Sequence, residues 1–357
     1  MTATSNVDLL AQAVTAKGFG PDQLDDDTFA RLVLTTINGT TNGHDGDVGR
    51  LVADHGAAEA LRLIVDGDDD ELEAKNIRPI VDALRTPIRS ADAIANTIAG
   101  ALHMRDAGAI ELLTPEHENW PRALSDLRSA APLMLWARGD LEVLNNWRTT
   151  CVVGARAATG YGEHVAMELS SDLTFRDQII VNGGAYGIEG MALRGSLAGG
   201  GTPIAVMAGG LNRLYPTGHE ALLTRVADHG VLLSEQMPDA PPTRWRFQQA
   251  NRMKAALAHS TIVVEAGVRS GAVQAALQAQ LLGRFVGAVP GPITSAASAG
   301  CHQLLKDGTA HVVTAVNDIP AVANDPSIGP MRRHDITRAA TTEHEAAAQT
   351  AQHSRSV

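Results

Sequence analysis

Two kinds of hydrophobic pattern divide the chain. Over the first 112 residues, apolar positions recur three and four apart, as in VGRLVADHGAAEALRLIV (Val48 to Val65) and IVDALRTPIRSADAIANTIAGALHM (Ile80 to Met104). That period lays one apolar stripe along a helix, and it predicts a small helical domain whose Asp/Gly-rich joints are loops. From Thr149 onward, short continuous apolar runs take over, each followed by a turn and a helix-length stretch. Strands are predicted at 150–153, 178–181, 203–207, 231–233, 261–265, 285–289 and 311–313. Helices are predicted to begin near Gly160, Ile188, Gly218, Gln248, Ser270 and Ser298. Continuous apolar runs mark strands covered on both faces, and a repeat of about 25–30 residues fits strand–helix–strand crossovers. The expected fold is α/β: a Rossmann-like, doubly wound, mostly parallel sheet preceded by a small helical domain. Residues 1–112 are assigned to the helical domain and 113–320 to the Rossmann-like domain, with the polar, proline-bounded TPEHENWP (Thr114 to Pro121) at the junction. The polar, Ala/Thr-rich residues 321–357 are assigned to a disordered tail.

Composition refines this picture. A hydrophobic content of 44% supports a sizeable core, but aromatics are only 3%, so the core rests on Ala, Val, Leu and Ile. No apolar run approaches the roughly 20 residues a membrane span requires. MTATSNVDLL shows neither a basic nor an apolar leader segment, and Cys151 and Cys301 lack metal-ligand spacing. The expectation is a reduced, cytoplasmic protein with no membrane partner, no metal and no cofactor.

The net charge of −11 argues against a nucleic-acid partner until its distribution is considered. Residues 1–112 hold 9 Lys+Arg against 19 Asp+Glu, whereas the remainder hold 20 against 21. The acidity is therefore confined to the first third. The window Thr243 to Lys254 carries Arg244, Arg246, Arg252 and Lys254 with no acid. It reads equally well as a local basic field and as a solvated helix face.

The predicted strands end in distinctive clusters: Gly154-Ala155-Arg156, Asn182-Gly183-Gly184-Ala185-Tyr186-Gly187, Ala208-Gly209-Gly210, Ser234-Glu235, Glu265-Ala266-Gly267 with Arg269-Ser270-Gly271, and Pro290-Gly291-Pro292. Ligands of open α/β sheets bind at the carboxyl ends of strands, where glycine lets backbone N–H groups approach a phosphate and helix N-termini favour anions. No G-x-G-x-x-G with a following acid is present, which disfavours a dinucleotide site.

Taken together the clusters resemble the DNA-processing protein A (DprA/Smf) family. The resemblance is carried by VVGARAATGYG (Val152 to Gly162), NGGAYGIEG (Asn182 to Gly190), AGGLNRLYP (Ala208 to Pro216), LLSE (Leu232 to Glu235), FQQANR (Phe247 to Arg252), VVEAGVRSG (Val263 to Gly271), VPGP (Val289 to Pro292) and AGCHQLL (Ala299 to Leu305). Together with the lead-in segments EHENWPRAL (Glu116 to Leu124) and PLMLWARG (Pro132 to Gly139), they lie in order over about residues 114–315. The resemblance implies a non-enzymatic protein that binds single-stranded DNA, forms a homodimer through the Rossmann-like domain and helps load the RecA recombinase during DNA uptake. The residues it brings to DNA are Gly154, Ala155, Arg156, Gly183, Gly184, Gly187, Gly209, Gly210, Asn251, Arg252, Arg269, Ser270 and Gly271. Tyr186, Tyr215, Trp245 and Phe247 are the candidates for base stacking. Departures from the pattern are Asn182 for Ser, Glu189 for Asp, Leu193 for His, Asn212 for Asp and Ala250 for the first Arg of R-N-R.

Other readings of these residues are weighed alongside. A nucleotide-binding or nucleotide-hydrolysing enzyme of a related Rossmann-like family is the alternative, but Pro290-Gly291-Pro292 lacks the G-T-x-x-E that would follow. Glu265 reads as a carboxylate held by loop N–H groups rather than as a base. Gly18-Phe19-Gly20 reads as a surface turn, with a DNA-binding hairpin as the alternative. The helix after Ser270 is apolar on more than one face, which fits either a subunit interface or burial beneath a neighbouring helix.

Overall fold

The structure, a computed structural model, describes residues 4–39, 45–85 and 90–320. The tail assigned to 321–357 lies outside the described residues. The described residues form two compact units, one from those up to 145 together with 205–250 and the other from 146–204 and 251–320.

Among the described residues, the first unit opens with seven helices: α1 (Asn6–Thr15), α2 (Asp26–Asn38), α3 (Asp45–His55), α4 (Ala57–Asp66), α5 (Asp69–Ala74), α6 (Arg78–Arg85) and α7 (Ala91–Asp106). Side-chain caps start several of them. Ser5, Asp25, Asp68 and Ser90 each accept from the backbone N–H three residues on, satisfying a donor that the first helical turn leaves open. Leu32, Leu61, Ile64, Leu84, Ile98 and Leu102 are buried, as the three-and-four spacing requires. Phe19 is buried and meets the His103 ring edge-on at 4.8 Å, so Gly18-Phe19-Gly20 anchors a turn in the helical core. Three strands then pair antiparallel, with β2 (Leu135–Gly139) between β1 (Glu111–Leu113) and β6 (Val231–Ser234). Strand β5 (Ile204–Val206) lies next to β6, and α10 (Glu220–His229) precedes β6 in the chain. Strands β1 and β2 were not among those predicted. Both are short, and each includes a charged residue (Glu111 in β1, Arg138 in β2), so an apolar run gives little signal.

The second unit is the parallel part of the fold. Its strands run in the order β4 (Ile179–Asn182), β3 (Thr149–Val153), β7 (Ser260–Val263), β8 (Phe285–Ala288) and β9 (His311–Val312), all parallel. Helices cover both faces. On one face Val152, Ile180 and Ile262 pack with α8 (Gly160–Thr174) and α9 (Ile188–Ala198). On the other, Cys151, Val153, Val263 and Val286 pack with α11 (Arg244–Leu257), α12 (Gly271–Leu281) and α13 (Ala299–Lys306). Successive strand residues serve opposite faces, and with both faces covered the strands carry continuous apolar runs such as Cys151-Val152-Val153 and Ile179-Ile180-Val181. Helix α11 begins at Arg244, four residues before the predicted start, because Thr243 accepts a hydrogen bond from Arg246 N and opens the helix there.

Most of the surplus apolar face on α12 is used inside this unit. Ala272, Val273, Ala275, Ala276 and Ala279 lie in the core, whereas Leu281 is 78% exposed. Both cysteines are free and buried, and burial pushes each thiol up to about 12. Among the described residues no helix is long and apolar enough to cross a membrane, and no cluster of His, Cys, Asp and Glu is arranged to hold a metal.

Candidate functional site

In the second unit, β3, β4 and β7 deliver their loops to the same strand edge. After β3 the chain turns through Gly154-Ala155-Arg156. Ala155 N donates to the Glu265 carbonyl at 2.7 Å, which ties the loop after β3 to the one after β7. Arg156 is exposed at the edge. Thr159 then caps α8, its hydroxyl accepting from Gly162 N at 3.3 Å.

The Glu265 carboxylate is buried and accepts from Thr159 N (2.9 Å) and Thr159 Oγ1 (2.6 Å). A Cβ on Gly162 would meet this carboxylate, so glycine there allows the first turn of α8 to sit against it. Glu265 is thus the loop-held carboxylate that its sequence context suggests.

The loop after β4 is organised around a second buried carboxylate. Glu189 Oε2 accepts from Gly183 N at 3.0 Å and Ala185 N at 3.1 Å. Its Oε1 meets Lys254 Nζ at 2.9 Å, with both side chains buried. Asn182 ties the turn from within: its Oδ1 accepts from Gly184 N at 2.9 Å and its Nδ2 donates to the Glu189 carbonyl at 3.0 Å. Burial works to raise the Glu189 carboxyl. The Lys254 ammonium and the two loop amides outweigh it and leave the group below its ordinary value. Gly187 has φ +71°, and a Cβ there would fall against the Ala155 carbonyl and 2.6 Å from that of Arg156. Ile188 N donates to the Ala155 carbonyl at 3.2 Å, so the loops after β3 and β4 are joined.

The loop after β7 carries exposed Arg269 and ends at Ser270, which caps α12 through a 3.3 Å bond from Val273 N. Asn251 Nδ2 donates to the Gly271 carbonyl at 3.2 Å. From the next strand, the Pro290 carbonyl accepts from the exposed Tyr161 hydroxyl at 2.9 Å.

These bonds sort the residues expected to bind a ligand. Gly154, Ala155, Arg156, Gly183, Gly184, Gly187, Asn251, Arg252, Arg269, Ser270 and Gly271 all belong to this second unit. Arg156 and Arg269 are exposed cations, and Tyr186 is 45% exposed. The Gly183 and Gly184 amides point into the protein instead, to Glu189 and Asn182. Asn251 and Arg252 are buried.

Gly209 and Gly210 belong to the first unit. There Gly210 N donates to the Ala240 carbonyl at 2.8 Å, and the Gly209 carbonyl accepts from Ser234 Oγ at 2.8 Å. Asn212 bonds the Asp239 carboxylate, and the Tyr215–Pro216 peptide is cis. Tyr215, itself exposed, meets the Phe247 ring edge-on at 6.0 Å.

The basic window is not a basic face. Lys254 turns inward to Glu189, and Arg252 is buried. Arg246 spans the carbonyls of Pro241 and Gly39 (2.8 Å to the latter), and burial lowers its guanidinium from the ordinary value. Arg244 alone of the four is exposed. The residue types are those of a solvated face, but the helix turns most of them into the protein.

Lys254 and its pairing with Glu189 were not anticipated from sequence. The available signals were Glu189 in place of Asp and a lysine one helical turn beyond Ala250.

Comparison with known proteins places these features in a family. The family model of DNA recombination-mediator protein A matches residues 111–324. The putative DNA processing protein DprA of Mycobacterium tuberculosis is 50% identical over 231 residues, covering 61% of this chain and 58% of that protein. The chain therefore spans under two thirds of that relative's length. The DNA processing protein DprA of Bacillus subtilis is 32% identical over 222 residues, covering 62% of this chain and 73% of that protein. Among solved structures, DNA processing protein A of Streptococcus pneumoniae superposes with a TM-score of 0.63 at 26% identity, covering 83% of this chain and 96% of that one. DNA processing protein A of Helicobacter pylori, whose structure concerns its single-stranded DNA binding mode, superposes with a TM-score of 0.54 at 27% identity, covering 58% and 93%.

Proposed function

We propose that this chain, which belongs to the DNA recombination-mediator protein A family, binds single-stranded DNA at the strand-end edge of its second unit. The observation that carries this reading is a pair of exposed arginines, Arg156 and Arg269, on an edge where the two carboxylates that organise the loops, Glu189 and Glu265, are buried and engaged. Glu189 is paired with Lys254, and the Glu265 carboxylate is buried and turned to Thr159, so neither side chain is exposed to a phosphodiester chain. Phosphate contacts of this kind position a strand without reading its bases. Gly154, Ala155, Gly187, Ser270 and Gly271 shape the same edge. Gly183, Gly184, Asn251 and Arg252 support it from below; Gly209 and Gly210, which lie in the first unit, are proposed as DNA contacts of that unit by itself. Tyr186 of the second unit and, separately, Tyr215, Trp245 and Phe247 of the first are assigned to base stacking.

The H. pylori relative, described for its single-stranded DNA binding mode, supports this choice of ligand. We extend the reading to the family's wider role: a cytoplasmic homodimer, not an enzyme, that protects incoming single strands and helps load the RecA recombinase in natural transformation and recombination.

The test is fluorescence anisotropy of the purified chain with labelled single- and double-stranded oligonucleotides across a salt series. Preference for the single strand is expected, with a log–log salt slope of about −0.7 per phosphate contacted. Equal affinity for duplex, or binding indifferent to salt, defeats the reading.

A further inference from the structure

We propose that Lys254 and Glu189 are positioning residues that hold the glycine loop after β4 in its binding shape before any ligand arrives, an inference that rests on the strand-end edge being a single-stranded DNA site. Successive backbone N–H groups in such a loop form a concavity that suits an anion. Here the Glu189 carboxylate fills it, accepting from Gly183 N and Ala185 N. A carboxylate this buried is expensive unless it is paired and fully hydrogen-bonded. Lys254 Nζ, 2.9 Å away, supplies the missing charge from α11. Two departures from the family pattern meet at this point. Glu189 is one methylene longer than the Asp of the pattern, and the buried cation stands one helical turn beyond Ala250, where the pattern has Arg.

The consequence reaches the exposed edge. The loop ends at Gly187, whose left-handed backbone lies against the carbonyls of Ala155 and Arg156, and Ile188 N bonds the Ala155 carbonyl. A chain of contacts therefore runs from Lys254 through Glu189 to the loop amides, and from the loop to the segment that carries Arg156. The loop amides are committed to the protein, so the loop serves the ligand by presenting Tyr186 and seating Arg156. Fixing such groups in advance lowers the ordering cost of binding.

Hydrogen exchange of the full wild-type chain, with and without a saturating oligo(dT), tests the inference directly. The amides of Gly183 and Ala185 are expected to exchange slowly in the free protein and to be unchanged by DNA. Fast exchange in the free protein with protection gained only on binding overturns it, because the ligand would then be ordering the loop. The functional arm uses paired substitutions, which avoid stranding one buried charge. Glu189→Ala with Lys254→Met releases the loop amides and is expected to weaken oligo(dT) binding about tenfold at an unchanged salt slope. Glu189→Gln with Lys254→Met keeps an oxygen for the amides and is expected to recover most of that loss. Fast loop exchange in the alanine variant with wild-type affinity overturns the inference. If that variant does not fold, the wild-type exchange comparison still decides. Failure of the wild-type chain to bind oligo(dT) overturns the DNA reading, and slow loop exchange in the same sample still supports the Lys254–Glu189 lock.

Discussion

The charged groups of the helical segment and those beneath the strand-end edge are built on opposite plans. In the helical segment they are numerous and, the buried Arg31 apart, lie wholly or partly at the surface. Arg62 meets Glu59 at 2.7 Å and Glu71 at 2.5 Å, and Arg78 meets Asp69 at 3.0 Å and Glu73 at 2.5 Å, all partly or largely exposed. Beneath the edge they are few and buried, as with Lys254–Glu189 and Glu265–Thr159. Water screens the first kind, so moving one such charge changes little. The second kind has no water to fall back on, and each group dictates where its neighbours sit. Net charge, which the helical segment dominates, is therefore a poor guide to what the edge binds.

The sharpest way to break this comparison is to remove one member of the buried pair. Lys254→Met leaves Glu189 charged and unpaired and is expected to destabilise the fold by about 3–5 kcal/mol in denaturant titration. A loss no larger than that of a surface pair would show that the two plans do not differ. Gly187→Ala comes next, because a side chain there meets both a left-handed backbone and the carbonyls of Ala155 and Arg156. A loss of about 2–4 kcal/mol is expected in the same measurement, with reduced affinity for single strands.

Acid is expected to act through the second unit. Burial, with the nearby Arg284 charge, lowers His259 from 6.5 to about 4. A histidine whose folded value lies below its unfolded one binds more protons unfolded. Its stabilising effect is thus complete above about pH 6.5 and declines as pH falls toward about 4. Glu189, also lowered, loses its own contribution as pH falls through its folded value. A decline of roughly 1–3 kcal/mol between pH 7 and 4 is expected from His259, and His259→Asn should flatten it. A stability curve level across that window would contradict the assignment.

Arg156→Ala separates binding from folding. It is expected to weaken oligonucleotide affinity by about 1–3 kcal/mol while leaving the melting temperature in place. Arg252→Ala should do the reverse, since Arg252 is buried in α11. The smallest effect belongs to the surface plan: Arg62→Ala is expected to change stability by less than about 1 kcal/mol despite its two carboxylate partners. A larger change would mean that the helical segment also depends on its ion pairs.

Much of this was legible along the chain. The parallel strands from Thr149 onward announce themselves as apolar runs because helices cover both faces of their sheet. Capping residues such as Thr159 and Ser270 stand where helices begin, since an N-cap is a local interaction. Strand β2 (Leu135–Gly139) was missed because it is an antiparallel partner whose pairing with β6 is made nearly a hundred residues away in sequence, as in Trp136 opposite Ser234. Arg156 was found as a charge following a buried strand. Lys254 was grouped with Arg244, Arg246 and Arg252 in one basic window because sequence records the type of a residue and not the direction in which a helix turns it.

By itself, then, the sequence determined whatever rests on local periodicity and turn chemistry: the helical segment, the alternation of strand and helix, the glycine-rich strand ends and the family they resemble. Only the tertiary structure decided which polar groups meet. The amides of Gly183 and Ala185 could face a ligand or a side chain of their own protein, and their residue types are the same in either case. Glu189, Lys254 and those amides come from α9, α11 and a loop, and their pairing depends on burial that expels water from all of them at once. Desolvation is a property of the packed neighbourhood, and no stretch of contiguous sequence contains it.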